Sequence, residues 1–417
     1  MDKLKVYGPC TLSGSVKISR AKNAYLPILA AVLLSDKPIH LKNIPELQDI
    51  KTMIKLLTNL GVEVSKIGNI TTFNAKNLNS HEATYDLVKT MRASIFVLGP
   101  LLARLKKAKV SLPGGCAIGT RPIDIHLVNL EKMGAKIELN SGYVDAQGPE
   151  LKPVHLTLSF PSVGATENLM MAAVFTKGET IIENAALEPE IDDLANFLNA
   201  MGANVSGIGT SKLHVVGVDS LKEATYEAIG DRIEASTYLM AGLITNSEIT
   251  IEDINPEHLE FVIDVLRKMG GNIETTSHSI IVKKHQGLKG CNVDTAPFPG
   301  FPTDAQAQLI ALSTAVNGTS IVTENIFENR FMHVPELVRL GADIALKGNS
   351  AIVNGGKKMT SAPVMCTDLR ASAALIIAAL ACNGETEIQR VYHLDRGYEK
   401  LEEKFKLLGA KIERVKG

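Results

Sequence analysis

The stretch from Leu112 to Pro122 reads LPGGCAIGTRP, with a thiol among glycines and prolines and an arginine five residues on. Such a loop is a poor place for a small core hydrophobe. A loop thiol beside glycine amides and Arg121 is where a lowered pKa and reactivity are expected. The segment GGCAIGTR nearly matches the phosphate loop G-x-x-x-x-G-K-[ST], but Thr120 and Arg121 stand where Lys and Ser or Thr are needed. A Walker-type nucleotide hydrolase is thereby disfavoured. The glycine amides and Arg121 still suit a phosphate or a carboxylate, and Pro122 takes a first-turn position of the helix RPIDIHLVNLEKM.

A second group of polar residues stands at the starts of apolar segments: Lys22 and Asn23, Arg92, Ser162 to Gly164, Asp231 and Arg232, Thr303 and Asp304, and Asp368 with Arg370. Helix N-termini carry unpaired N–H groups and positive partial charge. Taken singly, Asp231, Thr303 and Asp368 read as N-caps, with the basic residues in solvent. Basic side chains at such ends oppose the dipole, and Lys22, Arg92 and Arg370 together, beside a loop with Arg121, read as an anion site. A metal is not indicated: HEATY at 81–85 is not H-E-x-x-H, no C-x-x-C occurs, and the histidines are dispersed. His126 and His333 read as ordinary polar residues, Cys10, Cys291, Cys366 and Cys382 as packing residues, and GIGTSK at 207–212 as a turn between strands.

The elements that must position these groups repeat. LLTNLGVEV, LEKMGAKIE, FLNAMGANV, VLRKMGGNI, LVRLGADIA and FKLLGAKIE share an apolar helix end, a glycine and a short alternating strand. Their glycines, Gly61, Gly134, Gly202, Gly270, Gly341 and Gly409, recur about every 70 residues. With the same period come AKNAYLPILAAVLL, MRASIFVLGPLLAR, VGATENLMMAAVF, RIEASTYLMAGLIT, DAQAQLIALSTAV and LRASAALIIAALA, apolar nearly all round and so buried on most sides. The unit is strand, buried helix, strand, amphipathic helix, glycine, strand. Six units predict an α/β protein split three plus three, with apolar helices inside and sheets over them. The opening strand, Lys3 to Ser19, is expected to complete the last unit, so that one domain is assembled from both chain ends.

At 417 residues the chain exceeds what one core usually organises. It is 45% apolar and 21% charged, with no apolar run near the ~18 residues of a membrane span. The N-terminus lacks a signal peptide's apolar core. Five irregularly spaced cysteines form no disulfide framework, which fits a reducing cytoplasm. A net charge of −1 provides no global field for nucleic acid, so an anionic ligand must be met by local Lys and Arg.

These residues resemble the UDP-N-acetylglucosamine enolpyruvyl transferases, the family of the first committed step of peptidoglycan synthesis. The matching pieces span the chain: AKNA at 21–24, MRASI at 91–95, LPGGCAIGTRPIDIH at 112–126, SVGATEN at 162–168, FPTDAQAQ at 301–308, TENIFENRFMHV at 323–334, TDLRASA at 367–373 and HLDRGYE at 393–399. The resemblance implies a two-domain inside-out α/β barrel with three units per domain and the active site in the interdomain cleft. It sets the domains at 22–229 and at 1–21 with 230–417.

The implied reaction moves the enolpyruvyl group of phosphoenolpyruvate onto the 3′-hydroxyl of UDP-N-acetylglucosamine, through a tetrahedral ketal, with release of phosphate and no metal or organic cofactor. By resemblance, Asp304 is the base, and Cys116 is the general acid and the site of a covalent phosphoenolpyruvate adduct. Lys22, Arg121 and Arg396 would grip phosphoenolpyruvate, with Asn23 helping. Arg92, Arg121, Pro122, Ile123, Asp124, Ile125, Ser162, Val163, Gly164, Asp304 and Ile326 would hold the sugar nucleotide, with Asp368 and Arg370 in support. An acid must be protonated, so the thiolate reading of the loop pulls the other way. Arg121 would lower the Cys116 pKa and a bound anion would raise it, and the sequence leaves that balance open.

Three positions depart from the family pattern. Arg20 stands where Gly is usual, Phe160 where some members have Lys, and Phe96 where Trp is common. The rivals are a shikimate 3-phosphate enolpyruvyl transferase, disfavoured because that sister family lacks the loop cysteine, and a silent sugar-nucleotide sensor. A sensor need not keep Lys22, Cys116, Asp304 and Arg396 together. Partners are thus two small substrates, with no nucleic acid and no membrane insertion, and the oligomeric state is left open.

Overall fold

The repeating glycines do what their spacing predicts. All six lie at positive φ, from +91° at Gly409 to +102° at Gly61 and Gly270, a backbone that side chains with a Cβ resist. After each, the next residue's N–H donates to the carbonyl five positions back, as from Val62 to Leu57 at 3.0 Å and from Ala410 to Phe405 at 2.9 Å. These bonds use up carbonyls that a helix end would leave unpaired. The computed structural model describes residues 2–88, 91–112 and 123–417, with the backbone alone at 88 and 92.

Among the described residues the strands form six four-stranded sheets of one pattern. In one of them the order is Asn292–Asp294, Thr319–Thr323, Ser350–Asn354 and Asp343–Lys347. The first pair is parallel, joined over a buried helix, and the other pairings are antiparallel. Each sheet therefore has one strand more than the three-strand unit read from the sequence. The amphipathic helix is followed by a hairpin, and the second hairpin strand takes the inner place.

The opening segment is not one strand but two, and they enter different sheets. Lys3–Gly8 lies between Gly384–Gln389 and Lys411–Val415, antiparallel to both. Ser13–Lys17 is the parallel edge beside Glu248–Glu252. The sixth hairpin is thus made from the two chain ends, Lys3 opposite Val415. In the same way Ala224–Tyr226 returns to pair with Ile39–Lys42, closing the first sheet of the middle segment.

The described residues divide into two compact units, 2–19 with Gly230–Gly417, and 20–112 with 123–229. Arg20 donates to Glu227 at 2.6 Å and the Ala21 N–H to the Ile229 carbonyl at 2.8 Å, which ties both residues to the middle segment. Each unit has its own apolar core. In the terminal unit the core surrounds three mutually packed helices, Arg232–Ile244, Gln306–Ser313 and Leu369–Ala381. Their apolar all-round composition follows from that position, since every residue from Arg370 to Leu380 is buried. No helix of the described residues is long and apolar enough to cross a membrane.

Candidate active site

In the terminal unit the polar residues gather where the three buried helices begin. Asp304 lies in the single turn Thr303–Ala305 that leads into Gln306–Ser313. Its Oδ1 accepts from Arg330 Nη2 at 2.7 Å and its Oδ2 from Arg370 Nη2 at 2.8 Å. The Asp304 side chain is 26% exposed and each guanidinium side chain only 4%, so the carboxylate faces solvent with two cations behind it. Two guanidiniums thus meet one carboxylate, each holding one of its oxygens.

The loop 323–334 holds that arrangement. Glu324, buried, accepts from the hydroxyls of Thr295 at 2.9 Å and Thr303 at 2.8 Å, and from the N–H groups of Ile326 at 2.8 Å and Phe327 at 3.0 Å. Thr303 in turn accepts from Arg330 Nη1 at 3.0 Å. One carboxylate thereby links Ile326 to the Thr303–Asp304 turn. Arg330 also lies over the Phe327 ring at 5.4 Å.

Asp368 caps the helix Leu369–Ala381, accepting from the N–H groups of Arg370 at 2.9 Å and Ala371 at 3.0 Å. Burial by itself would push the Arg370 pKa down, but the Asp304 carboxylate carries it upward, so this arginine is a fixed charge. Arg396 ends the turn Val391–Arg396. A Cβ on Gly397 would stand 2.6 Å from Leu369 Cδ2, so the Arg396 turn packs directly on the start of the Arg370 helix. His333, wholly buried, is pushed down to about 4 by that burial, with Asp368 opposing and Arg330 assisting.

In the middle unit Lys22 opens the helix Lys22–Ala31, its Nζ 3.4 Å from Asp49 Oδ2, and Asn23 follows it. Ser162 caps Val163–Ala173 by accepting from the Ala165 N–H at 3.3 Å. A Cβ on Gly164 would lie 3.2 Å from Phe96 and 3.3 Å from His126, so Gly164 admits close packing there. His126 belongs to Asp124–Lys132 and meets Asn168 at 3.0 Å, which sets the Ile123–Asp124–Ile125 start beside the Ser162–Val163–Gly164 start. Burial pushes the His126 pKa down to about 4. Arg92 opens the turn Arg92–Val97. Cys116, Arg121 and Pro122 lie outside the described residues.

Several expectations are corrected by this geometry. Thr303 makes no cap: Pro302 stands at the cap position, and the Thr303 oxygen accepts from Arg330. Lys22 and Arg370 are buried and ion-paired rather than solvated. The additional cation at Arg20 is paired with Glu227. Asp49, Glu324 and Arg330 received no role from the sequence, although the last two lie inside TENIFENRFMHV. The one local signal was an arginine set among Phe327, Phe331 and Met332, which a solvated loop has little reason to hold.

Comparison with known proteins adds an independent line. Residues 6–405 match the family profile described as EPSP synthase (3-phosphoshikimate 1-carboxyvinyltransferase). A protein of Nitratidesulfovibrio vulgaris named UDP-N-acetylglucosamine 1-carboxyvinyltransferase is 53% identical over 415 residues, 99% of each chain. One of the same name from Hydrogenovibrio crunogenus is 51% identical over 417 residues, 100% of each. The crystal structure of the enolpyruvyl transferase NikO from Streptomyces tendae superposes with a TM-score of 0.89 at 25% identity, covering 100% of this chain and 99% of that one.

Proposed function

The chain belongs to the enolpyruvyl transferase family described as EPSP synthase, and we propose that its own acceptor is UDP-N-acetylglucosamine and its donor phosphoenolpyruvate. The relatives that match from end to end carry that acceptor in their name. The observation that carries the chemistry is Asp304, a solvent-facing carboxylate between two buried guanidiniums.

In this reading Asp304 takes the proton of the 3′-hydroxyl as its oxygen bonds to C2 of phosphoenolpyruvate. Cys116 gives its proton to C3, turning the methylene into a methyl group and leaving a tetrahedral ketal. Cleavage of the bond between C2 and the phosphate oxygen then releases phosphate, which carries off the proton held by Asp304, while the Cys116 thiolate takes back a methyl proton and the double bond is restored. Lys22, Arg121 and Arg396, with Asn23, hold phosphoenolpyruvate, and Arg370 with Asp368 supports Asp304. Arg92, the segment from Arg121 to Ile125, the helix start at Ser162 to Gly164, and Ile326 hold the sugar nucleotide. Two adjoining helix starts, with the positive ends of their dipoles, suit its diphosphate. Such an enzyme serves peptidoglycan synthesis in the cytoplasm, where its charged substrates are kept.

Phosphate release from phosphoenolpyruvate, without added metal, tests the reading with either acceptor. Release with UDP-N-acetylglucosamine alone supports it. Release only with shikimate 3-phosphate reassigns the acceptor, and silence with both despite sugar-nucleotide binding makes the protein a sensor.

A further inference from the structure

We propose that Tyr398 is a positioning residue for the Asp304–Arg370 pair, an inference that rests on reading Asp304 as the base. Tyr398 is 2% exposed and stands two residues after Arg396. It touches all three buried helices of its unit. Its hydroxyl lies 2.8 Å from Thr237 Oγ1 on Arg232–Ile244 and 3.2 Å from Gln308 Nε2 on Gln306–Ser313. Its ring centroid is 5.5 Å from the guanidinium carbon of Arg370 on Leu369–Ala381.

The Thr237 hydroxyl also lies 2.9 Å from the Ile233 carbonyl. Either hydroxyl can donate within the Tyr398–Thr237 pair, and the phenol oxygen accepts from the Gln308 amide. The same amide nitrogen donates to the Asp304 carbonyl at 3.0 Å. Tyr398 thus reaches the base by two routes. Through Gln308 it fixes the Asp304 backbone, and through its ring face it fixes Arg370, which holds Asp304 Oδ2 at 2.8 Å. A phenol that merely filled core would need one partner for its hydroxyl, and any apolar neighbour would serve its ring. Here both ends meet groups that hold the proposed base. The short link to Arg396 makes the donor-gripping turn a second beneficiary.

The test compares Tyr398→Phe, which keeps the ring, with Tyr398→Leu, which loses it, and with Thr237→Val, which removes a hydrogen-bond partner of the phenol and leaves Tyr398 in place. Each is made in the parent and in an Asp304→Asn background. Steady-state phosphate release gives kcat and both KM values, and circular dichroism gives Tm. The expected result is a fall in kcat of about tenfold for Tyr398→Phe, the scale of a small misplacement of a catalytic group, with the KM for UDP-N-acetylglucosamine within about twofold. Tyr398→Leu should fall further, and Thr237→Val should follow Tyr398→Phe in direction. Because the effect passes through Asp304, Tyr398→Phe should cost little more once Asp304→Asn is present. A lowered Tm with kcat and both KM values unchanged in Tyr398→Phe and Thr237→Val would make Tyr398 a core residue and overturn the proposal. An undiminished loss in the Asp304→Asn background would overturn the route through Asp304. Normal turnover by Asp304→Asn alone would instead remove the base assignment, a different failure with a different signature.

Discussion

Asp304 combines two demands that pull against each other. A base must be held in place and must also be reachable, and two guanidiniums serve the first. Leaving the carboxylate partly exposed lets a substrate hydroxyl reach it. Asp304→Asn should therefore lower kcat by about a hundredfold or more with an unchanged circular dichroism spectrum, and near-normal turnover would place the base elsewhere. The cysteines allow a second check at this scale. Burial pushes Cys10 and Cys291 up to about 11, and Cys366 and Cys382 up to about 12, so all four stay protonated at neutral pH. The epoxide fosfomycin should alkylate Cys116 alone, faster with UDP-N-acetylglucosamine present, as read by peptide mass spectrometry. Equal labelling of Cys10 or Cys382 would count against Cys116 as the acid. His126 and His333 bear on stability. Both are held at about 4 when folded, below the ordinary value of about 6.5, so the unfolded chain binds protons first as pH falls. These histidines should cost stability progressively from about pH 6.5 down to about pH 4. Urea midpoints across that range should show a shallower slope in His126→Gln than in the parent.

At the scale of elements, each buried helix is a compromise between apolar packing and a polar start. Asp231 and Asp368 satisfy the first N–H groups of their helices with a side-chain oxygen, while at the third start Pro302 stands at the cap position and Thr303 holds Glu324. Close helix approach is the other constraint. A Cβ on Gly99 would lie 2.3 Å from the Asn168 backbone carbonyl, and the Gly99 N–H already donates to Asn168 Oδ1 at 2.8 Å. Backbone on both sides cannot step aside as a flexible side chain would. Gly99→Ala should cost about 1–3 kcal/mol, seen as a lower urea midpoint, and a neutral result would mean that the two helices can part at little cost. The helices and their closing glycines were legible in the sequence because apolar pattern and positive-φ glycine are local properties. The hairpin after each glycine was half-read. Its turns, such as Ile67 to Ile70, are so short that two strands look like one.

For the whole molecule, the chain ends carry more weight than terminal segments usually do. Lys3–Gly8 is an inner strand, and Leu4 and Val6 are fully buried. Deleting residues 1–8 would strip the inner edge from Gly384–Gln389 and Lys411–Val415 together, and forfeit about 1.5–3 kcal/mol for each large side chain left exposed. Limited trypsin digestion of that deletion should cut 230–417 well before 20–229, since the two units have separate cores. Equal resistance of both segments to the parent's would show that the strand is dispensable.

The sequence by itself determined the repeat, the number of buried helices, the glycines that end their neighbours, and the residue types from which a site could be built. Those features depend on side chains a few positions apart. Family resemblance extended this to named candidates at Lys22, Cys116, Asp304 and Arg396. Only the tertiary structure decided that Lys3–Gly8 and Ser13–Lys17 part into different sheets, and that Asp304 is held by Arg330 and Arg370, 26 and 66 residues away. No local pattern marks such partners. A buried guanidinium is tolerated only where a carboxylate from elsewhere in the chain meets it, and that condition is satisfied in space rather than along the sequence.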